Sequence, residues 1–251
     1  MHLRLLKLVQ YRFLTVIRIP QQKHIYGLGK SALPILVEEG IAEEGILAHR
    51  IRMRELKELF LKHEMLIVDI HVMFTLAAQG RELKPVAWKE GRELHDTVTV
   101  DMVDGQRRLP VRPDAFFSLE DSRRSAGANR AHFFLEADRS TETQARFTEK
   151  IKAYWHYLQQ GLHKEKHKIK SFRVLTITLT DARAENLCKL AASILPEGAR
   201  KFFLFASLKQ FSIENPAPLL DSVFRSPRAV GSDRYPLVPA PSQPTINTLA
   251  D

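Results

Sequence analysis

Apolar and polar positions change period several times along the chain, and each change marks an element. Leu3, Leu6, Val9 and Phe13 fall at helical spacing, then the chain turns β-branched at Thr15, Val16 and Ile17, which predicts a helix running into a strand. Ile25 to Lys30 reads as the return strand, and Ala32 to Glu39 as a helix with Pro34 in its first turn. Residues 40 to 54 read as a connection rich in charge. From Glu55 to Ala78 one long helix is predicted, with Leu56, Leu59, Phe60, His63, Ile67, Ile70, Phe74 and Ala77 on a common face.

The centre of the chain is strand-like. Pro85 to Trp88 and Asp96 to Asp101 read as short strands, followed by a turn at Asp104-Gly105. Arg108 to Leu119 and Ala131 to Arg139 read as two longer ones, joined by a Ser-, Gly- and Asn-containing loop from Asp121 to Arg130. A helix from Thr141 to Gln160 comes next. Arg173 to Thr180 gives the clearest alternation in the chain, a helix capped by Asp181 runs to Leu195, and Phe202 to Ala206 closes the sheet. The order predicts an α/β core with a mixed sheet flanked by helices. Beyond Pro216 prolines crowd among Ser, Asp and Arg and no period survives, which predicts disorder. The expected divisions are 1–40, 41–215 and 216–251.

Composition changes little in this picture, and charge changes more. The chain has 251 residues, 44% apolar and 27% charged, as soluble globular proteins do. The single cysteine, Cys188, lies on an apolar-periodic helix, so no disulfide framework or zinc motif is expected. No apolar run approaches the roughly 20 residues that span a bilayer, and a signal-peptide cleavage pattern is lacking. A cytoplasmic protein with no membrane association is expected. The net charge of +9 is unevenly placed. Residues 1 to 37 hold Arg4, Lys7, Arg12, Arg18, Lys23 and Lys30 and no acid, a composition suited to phosphate contacts. A second basic cluster runs from His163 to Lys170.

Three carboxylates carry the candidate chemistry. Asp114 lies on the first of the two longer strands, Glu136 and Asp138 on the second. Strand side chains alternate, so Glu136, Asp138 and Phe134 share one face while Phe133, Leu135 and Ala137 take the other. Acids delivered by adjacent strands suit a hard cation such as Mg²⁺, which polarises a phosphoryl oxygen and activates water. The lysine that usually completes such a site is absent, since Asp138 stands two residues after Glu136. Lys150 and Lys152 on the following helix are the displaced candidates, Lys150 the better one. The alternative is that the acids are merely solvated or paired with Arg112 and Arg139. Gly27-Leu-Gly-Lys-Ser31 imitates the end of a phosphate-binding loop, but the first glycine position is His24.

Helix, strand, basic turn, strand, helix at the N-terminus is the second half of a winged helix-turn-helix, the expectation being that its first helices are missing. With these residues in place, the chain resembles the replication-relaxation family of bacterial plasmid and mobile-element proteins. The resemblance covers roughly residues 5 to 210. It rests on Tyr26-Gly-Leu-Gly29 before a helix, His63-Glu64, Arg112-Pro-Asp-Ala-Phe-Phe117, and Phe134-Leu-Glu-Ala-Asp-Arg-Ser-Thr-Glu142 followed by Lys150 and Tyr154. It implies a winged helix before a core similar to the restriction-endonuclease-like PD-(D/E)xK fold. Asp114 and Glu136 would be its metal-binding acids, with Asp138, Arg139 and Lys150 around them. The implied function is a role in plasmid replication or relaxation; with the basic N-terminal stretch, DNA binding through Arg4, Lys7, Arg12, Arg18, Lys23 and Arg139 is expected, alongside replication or mobilisation proteins. A metal-dependent nicking endonuclease and a winged-helix transcriptional regulator are the alternatives.

Overall fold

The computed structural model describes residues 2–17, 24–41, 58–102, 105–229, 231 and 233–239. The chain divides into two compact units, 1–64 and 65–251. The predicted break at residue 40 and the turn at Asp104 fall beside or within segments outside the described residues.

In the first unit, helix α1 (His2–Gln10) leads into strand β1 (Leu14–Ile17), which pairs antiparallel with β2 (Ile25–Leu28) before helix α2 (Leu33–Glu38). The end of α1 is closed by two backbone bonds, Phe13 N–H to the Leu8 carbonyl at 2.8 Å and Arg12 N–H to the Val9 carbonyl at 3.1 Å. This is a Schellman closure, and its left-handed position, usually glycine, is Arg12 at φ 61°. Gly29 lies against the same turn, where an added Cβ would stand 2.0 Å from the Arg12 carbonyl oxygen. Close backbone approach therefore explains the glycine that imitated a phosphate loop.

The second unit is built on a five-stranded mixed sheet in the order β3 (Leu83–Lys89), β6 (Ala115–Asp121), β7 (Arg130–Asp138), β8 (Arg173–Thr178), β9 (Phe203–Ser207). The β3–β6–β7 pairs are antiparallel and the β7–β8–β9 pairs parallel. Parallel strands require crossovers, and helices supply them. Helices α4 (Gln144–Gln159) and α5 (Leu162–His167) join β7 to β8, and α6 (Asp181–Ile194) and α7 (Glu197–Arg200) join β8 to β9.

Strand alternation divides the core in two. Phe117, Phe133, Leu135, Ala137, Leu175 and Leu204 pack against Ile67, Ile70 and Phe74 of the long helix α3 (Glu58–Ala77). The opposite face, with Phe116, Phe134, Val174 and Phe203, packs against Phe147, Ile151 and Tyr154 of α4 and Leu187 and Ala191 of α6. Both faces are covered, so β8 and β9 are buried along their length.

Two expectations are corrected. The segment from Arg108 to Leu119 is two strands, because β5 (Gly105–Val111) pairs with β4 (Asp96–Met102) in a separate hairpin and only β6 joins the main sheet. Arg112-Pro113-Asp114 lies between them; Pro113 has no N–H to give a ladder. The expected disorder from Pro216 does not hold through residue 239. Leu219, Leu220, Phe224, Leu237 and Val238 fill the α3 side of the sheet. Arg225 exchanges two backbone hydrogen bonds with Phe205 at 2.8 and 3.0 Å, covering the free edge of β9. Prolines suit such an edge segment, because it needs few ladder donors. Residues 240 to 251 lie outside the described residues.

Candidate functional site

Asp114 stands at the start of β6, and its own backbone fixes it there. Its N–H donates to the Leu135 carbonyl at 3.0 Å, and its Oδ2 accepts the Ala137 N–H at 2.7 Å. The acid is thus tied to β7 on both sides of Glu136. Glu136 points from near the C-terminal end of β7 into the α4 side of the core, where it is 2% exposed. Its Oε2 accepts from Lys150 Nζ at 2.7 Å and its Oε1 from the Tyr154 hydroxyl at 2.5 Å. Helical spacing explains the pair, since residues four apart share one face, while Lys152 is turned outward and exposed.

Lys150 also reaches Glu142 Oε2 at 3.0 Å. Ser140, at φ 61°, turns the chain between β7 and α4, and the Thr143 side chain caps the helix by accepting from Arg146 N–H at 3.3 Å. Asp138, two positions along the same face of β7, takes a different partner. Arg183 on α6 holds it through Nε at 2.8 Å and a second nitrogen at 3.3 Å, and donates to the Glu142 carbonyl at 2.9 Å. Arg139 follows immediately and is half-buried.

Burial dominates the electrostatics. It pushes the Glu136 carboxyl up to about 7, against the pull of Lys150 and with reinforcement from Asp114. Burial works against the Lys150 ammonium, yet Glu136, Asp114 and Glu142 together raise its pKa. Tyr154 is raised by burial and by the neighbouring carboxylate, so its hydroxyl stays a donor.

The structure brings Asp114, Glu136 and Lys150 together and gives Asp138, expected beside them, to Arg183. Arg183 was missed, because nothing in its local pattern points 45 residues back along the chain. Tyr154 and Glu142 belong to the motif that carries the resemblance, and their roles emerge only with the helix in place. The fit to a magnesium ion is poor as the groups stand. Both Glu136 oxygens, both Asp138 oxygens and one Asp114 oxygen already accept protein hydrogen bonds. Among the described residues, no group of three or more His, Cys, Asp or Glu side chains is arranged to hold a metal.

The expected basic residues divide the same way. Arg4, Lys7, Arg12 and Lys30 are exposed, and Arg18 and Lys23 lie outside the described residues. In the second cluster Lys164, Lys166, Lys168 and Lys170 are exposed, but His163 is buried between the Tyr157 and Lys170 carbonyls at 3.4 and 3.2 Å. Cys188 is a buried thiol whose pKa is pushed up to about 11, which leaves it protonated and unreactive. Among the described residues no helix is long and apolar enough to cross a membrane.

A family model described as replication-relaxation matches residues 1–171, which takes in α1 through α5 and every group of the site except Arg183. No curated protein and no solved structure matches the chain.

Proposed function

The chain belongs to the replication-relaxation family, and we propose that it acts there as a DNA-binding accessory protein for plasmid or mobile-element DNA whose carboxylate cluster is an internal strut. The observation that carries this reading is Glu136, an acid sealed in the core with both oxygens taken by Lys150 and Tyr154. A carboxylate that must act on a phosphodiester needs an open oxygen, and a buried ion pair held by hydrogen bonds serves packing instead. The exposed Arg4, Lys7 and Arg12 supply sequence-independent attraction to phosphate. In this reading α1, β1, β2 and α2 act as the later part of a winged helix, with α1 addressing DNA.

Incubation with supercoiled plasmid and Mg²⁺ or Mn²⁺, beside an EDTA control and Glu136→Ala, tests the proposal. The expected result is unchanged plasmid together with a mobility shift that weakens steeply with salt. Metal-dependent open circles that vanish in Glu136→Ala would overturn it. That outcome would favour the second reading, a nicking endonuclease on a restriction-endonuclease-like core. One observation speaks for it: Lys150 Nζ stands 2.7 Å from Glu136 Oε2, so a lysine supplied by the helix is within reach of the acids.

A further inference from the structure

The second unit carries exposed cations that the carboxylate cluster does not use, and its hairpin gathers them. The β4–β5 register pairs Asp96 with Val111, so one step further sets His95 opposite Arg112. Arg92 opens the 3₁₀ turn Arg92–Leu94, and the His95 N–H closes it by donating to the Arg92 carbonyl at 3.0 Å. From α5, Lys166 donates to the His95 carbonyl and lies 3.7 Å from Asp96 Oδ2. Arg92, His95, Arg112 and Lys166 are all exposed.

These groups feel one another. The His95 pKa is lowered first by partial burial and then by Arg112, Lys166 and Arg92, with Asp114 alone pulling the other way. Neither Arg92 nor Arg112 has an ion-pair partner among the described residues. Arg92 and Arg112 therefore carry positive charge that no ion pair among the described residues offsets, whereas Lys166 already lies near Asp96 and His95, with its lowered pKa, is an uncharged imidazole; guanidinium groups match phosphate geometry. Asp114 marks where the arc meets the carboxylate cluster.

We propose that Arg92, His95, Arg112 and Lys166 form a second nucleic-acid contact, on the second unit, that seats a phosphodiester backbone beside Asp114. The inference rests on the DNA-binding reading above and names where the second unit takes part. A polyanionic backbone suits the arc better than a single anion, because each strand brings one phosphate per ~3.4 Å of helix axis to several cations at once.

The test is fluorescence anisotropy of the full chain on a labelled duplex between 50 and 200 mM salt, comparing wild type, Arg92→Ala with Arg112→Ala, Arg92→Lys with Arg112→Lys, and Arg4→Ala with Lys7→Ala. The alanine pair in the second unit should weaken binding about tenfold or more. It should also reduce the log–log salt slope by about 1.8, since each phosphate contact contributes about 0.9. The lysine pair should retain most of the slope, and melting temperatures should stay unchanged. Binding and slope equal to wild type in the alanine pair, with loss in Arg4→Ala with Lys7→Ala, would overturn the second contact alone. No duplex binding by wild type would sink the DNA-binding reading and this inference together. Polyglutamate binding that depends on Arg92 and Arg112, without duplex binding, would assign the arc to an acidic protein partner instead.

Discussion

The described basic residues of α1, its C-terminal turn and the turn leading into α2 in the first unit stand in water, while Glu136 and Asp138 of the second unit are folded into a core. Arg4, Lys7, Arg12 and Lys30 are exposed on or beside short elements. Glu136 and Asp138 are 2% and 6% exposed, each matched to a cation from a different helix. An exposed charge costs little and remains available to a ligand. A buried one is costly, and here partners within the chain already offset it. Placement, rather than residue type, therefore separates charges left available to a ligand from charges already committed to partners in the core.

The strongest way to break this contrast is to remove the cation from the core. Lys150→Met leaves Glu136 and Glu142 without their shared ammonium, and a broken buried pair costs about 3–5 kcal/mol. Urea unfolding at pH 8 should show that loss, and a change under 1 kcal/mol would mean that the pair is not structural. DNA affinity of the folded fraction should be unaffected.

Affinity should respond next, and from the other unit. Arg4→Ala with Lys7→Ala should flatten the salt dependence by about 1.8 on a log–log plot, each phosphate contact contributing about 0.9. Stability should stay within about 0.5 kcal/mol of wild type, as exposed substitutions usually do. Calorimetry beside anisotropy would reveal the opposite pattern, stability lost with affinity kept, if these residues were structural.

A pH series sharpens the comparison further. Glu136 is raised from 4.5 to about 7, so across that window the folded chain holds a proton that the unfolded chain has released. Its contribution to stability must then fall as pH rises from 4.5 to 7. His167, lowered by burial from 6.5 to about 4, acts in the opposite sense, adding stability as pH rises between those values. Glu136→Gln removes only the first effect, so the melting temperature of the variant relative to wild type should climb from pH 5 to pH 8. A flat difference would show that Glu136 is ionised throughout.

The smallest effect tests Arg12, where both themes meet. Its left-handed backbone costs roughly 1 kcal/mol that glycine would not incur. Arg12→Gly should raise the stability of the first unit by up to about that amount while weakening DNA binding slightly, read by amide exchange and anisotropy. Unchanged affinity would show that the strained arginine does not touch DNA.

Much of this was legible in the residues, and the failures have a common cause. The face assignment of Phe133 to Asp138 followed from alternation alone, because β7 has a period of two and packs on both sides. Lys150 could be singled out because it follows β7 closely, though only the helix phase decides between it and Lys152. The partition of Arg108 to Leu119 went astray because strand propensity says nothing about which sheet a strand joins. The C-terminal segment was misread because its apolar residues, Leu219, Phe224 and Leu237, have no period; they are selected by a surface that other parts of the chain build. Arg183 shows the same limit, since its meaning lies in Asp138.

That C-terminal segment also sets an order of events during synthesis. The α3 face of the sheet is closed by Phe224, Leu237 and Val238, which are made after β9 is complete. At ~5–20 residues per second, the apolar face and the bare edge of β9 stay open for roughly two to six seconds after the last strand is translated. In that interval a chaperone or another nascent chain has access to them. Ribosome-bound chains arrested with Asn215 as their last exposed residue should be cut rapidly by protease within β9, and chains extended past Val238 should resist. Equal resistance in both would show that the sheet closes without its final segment.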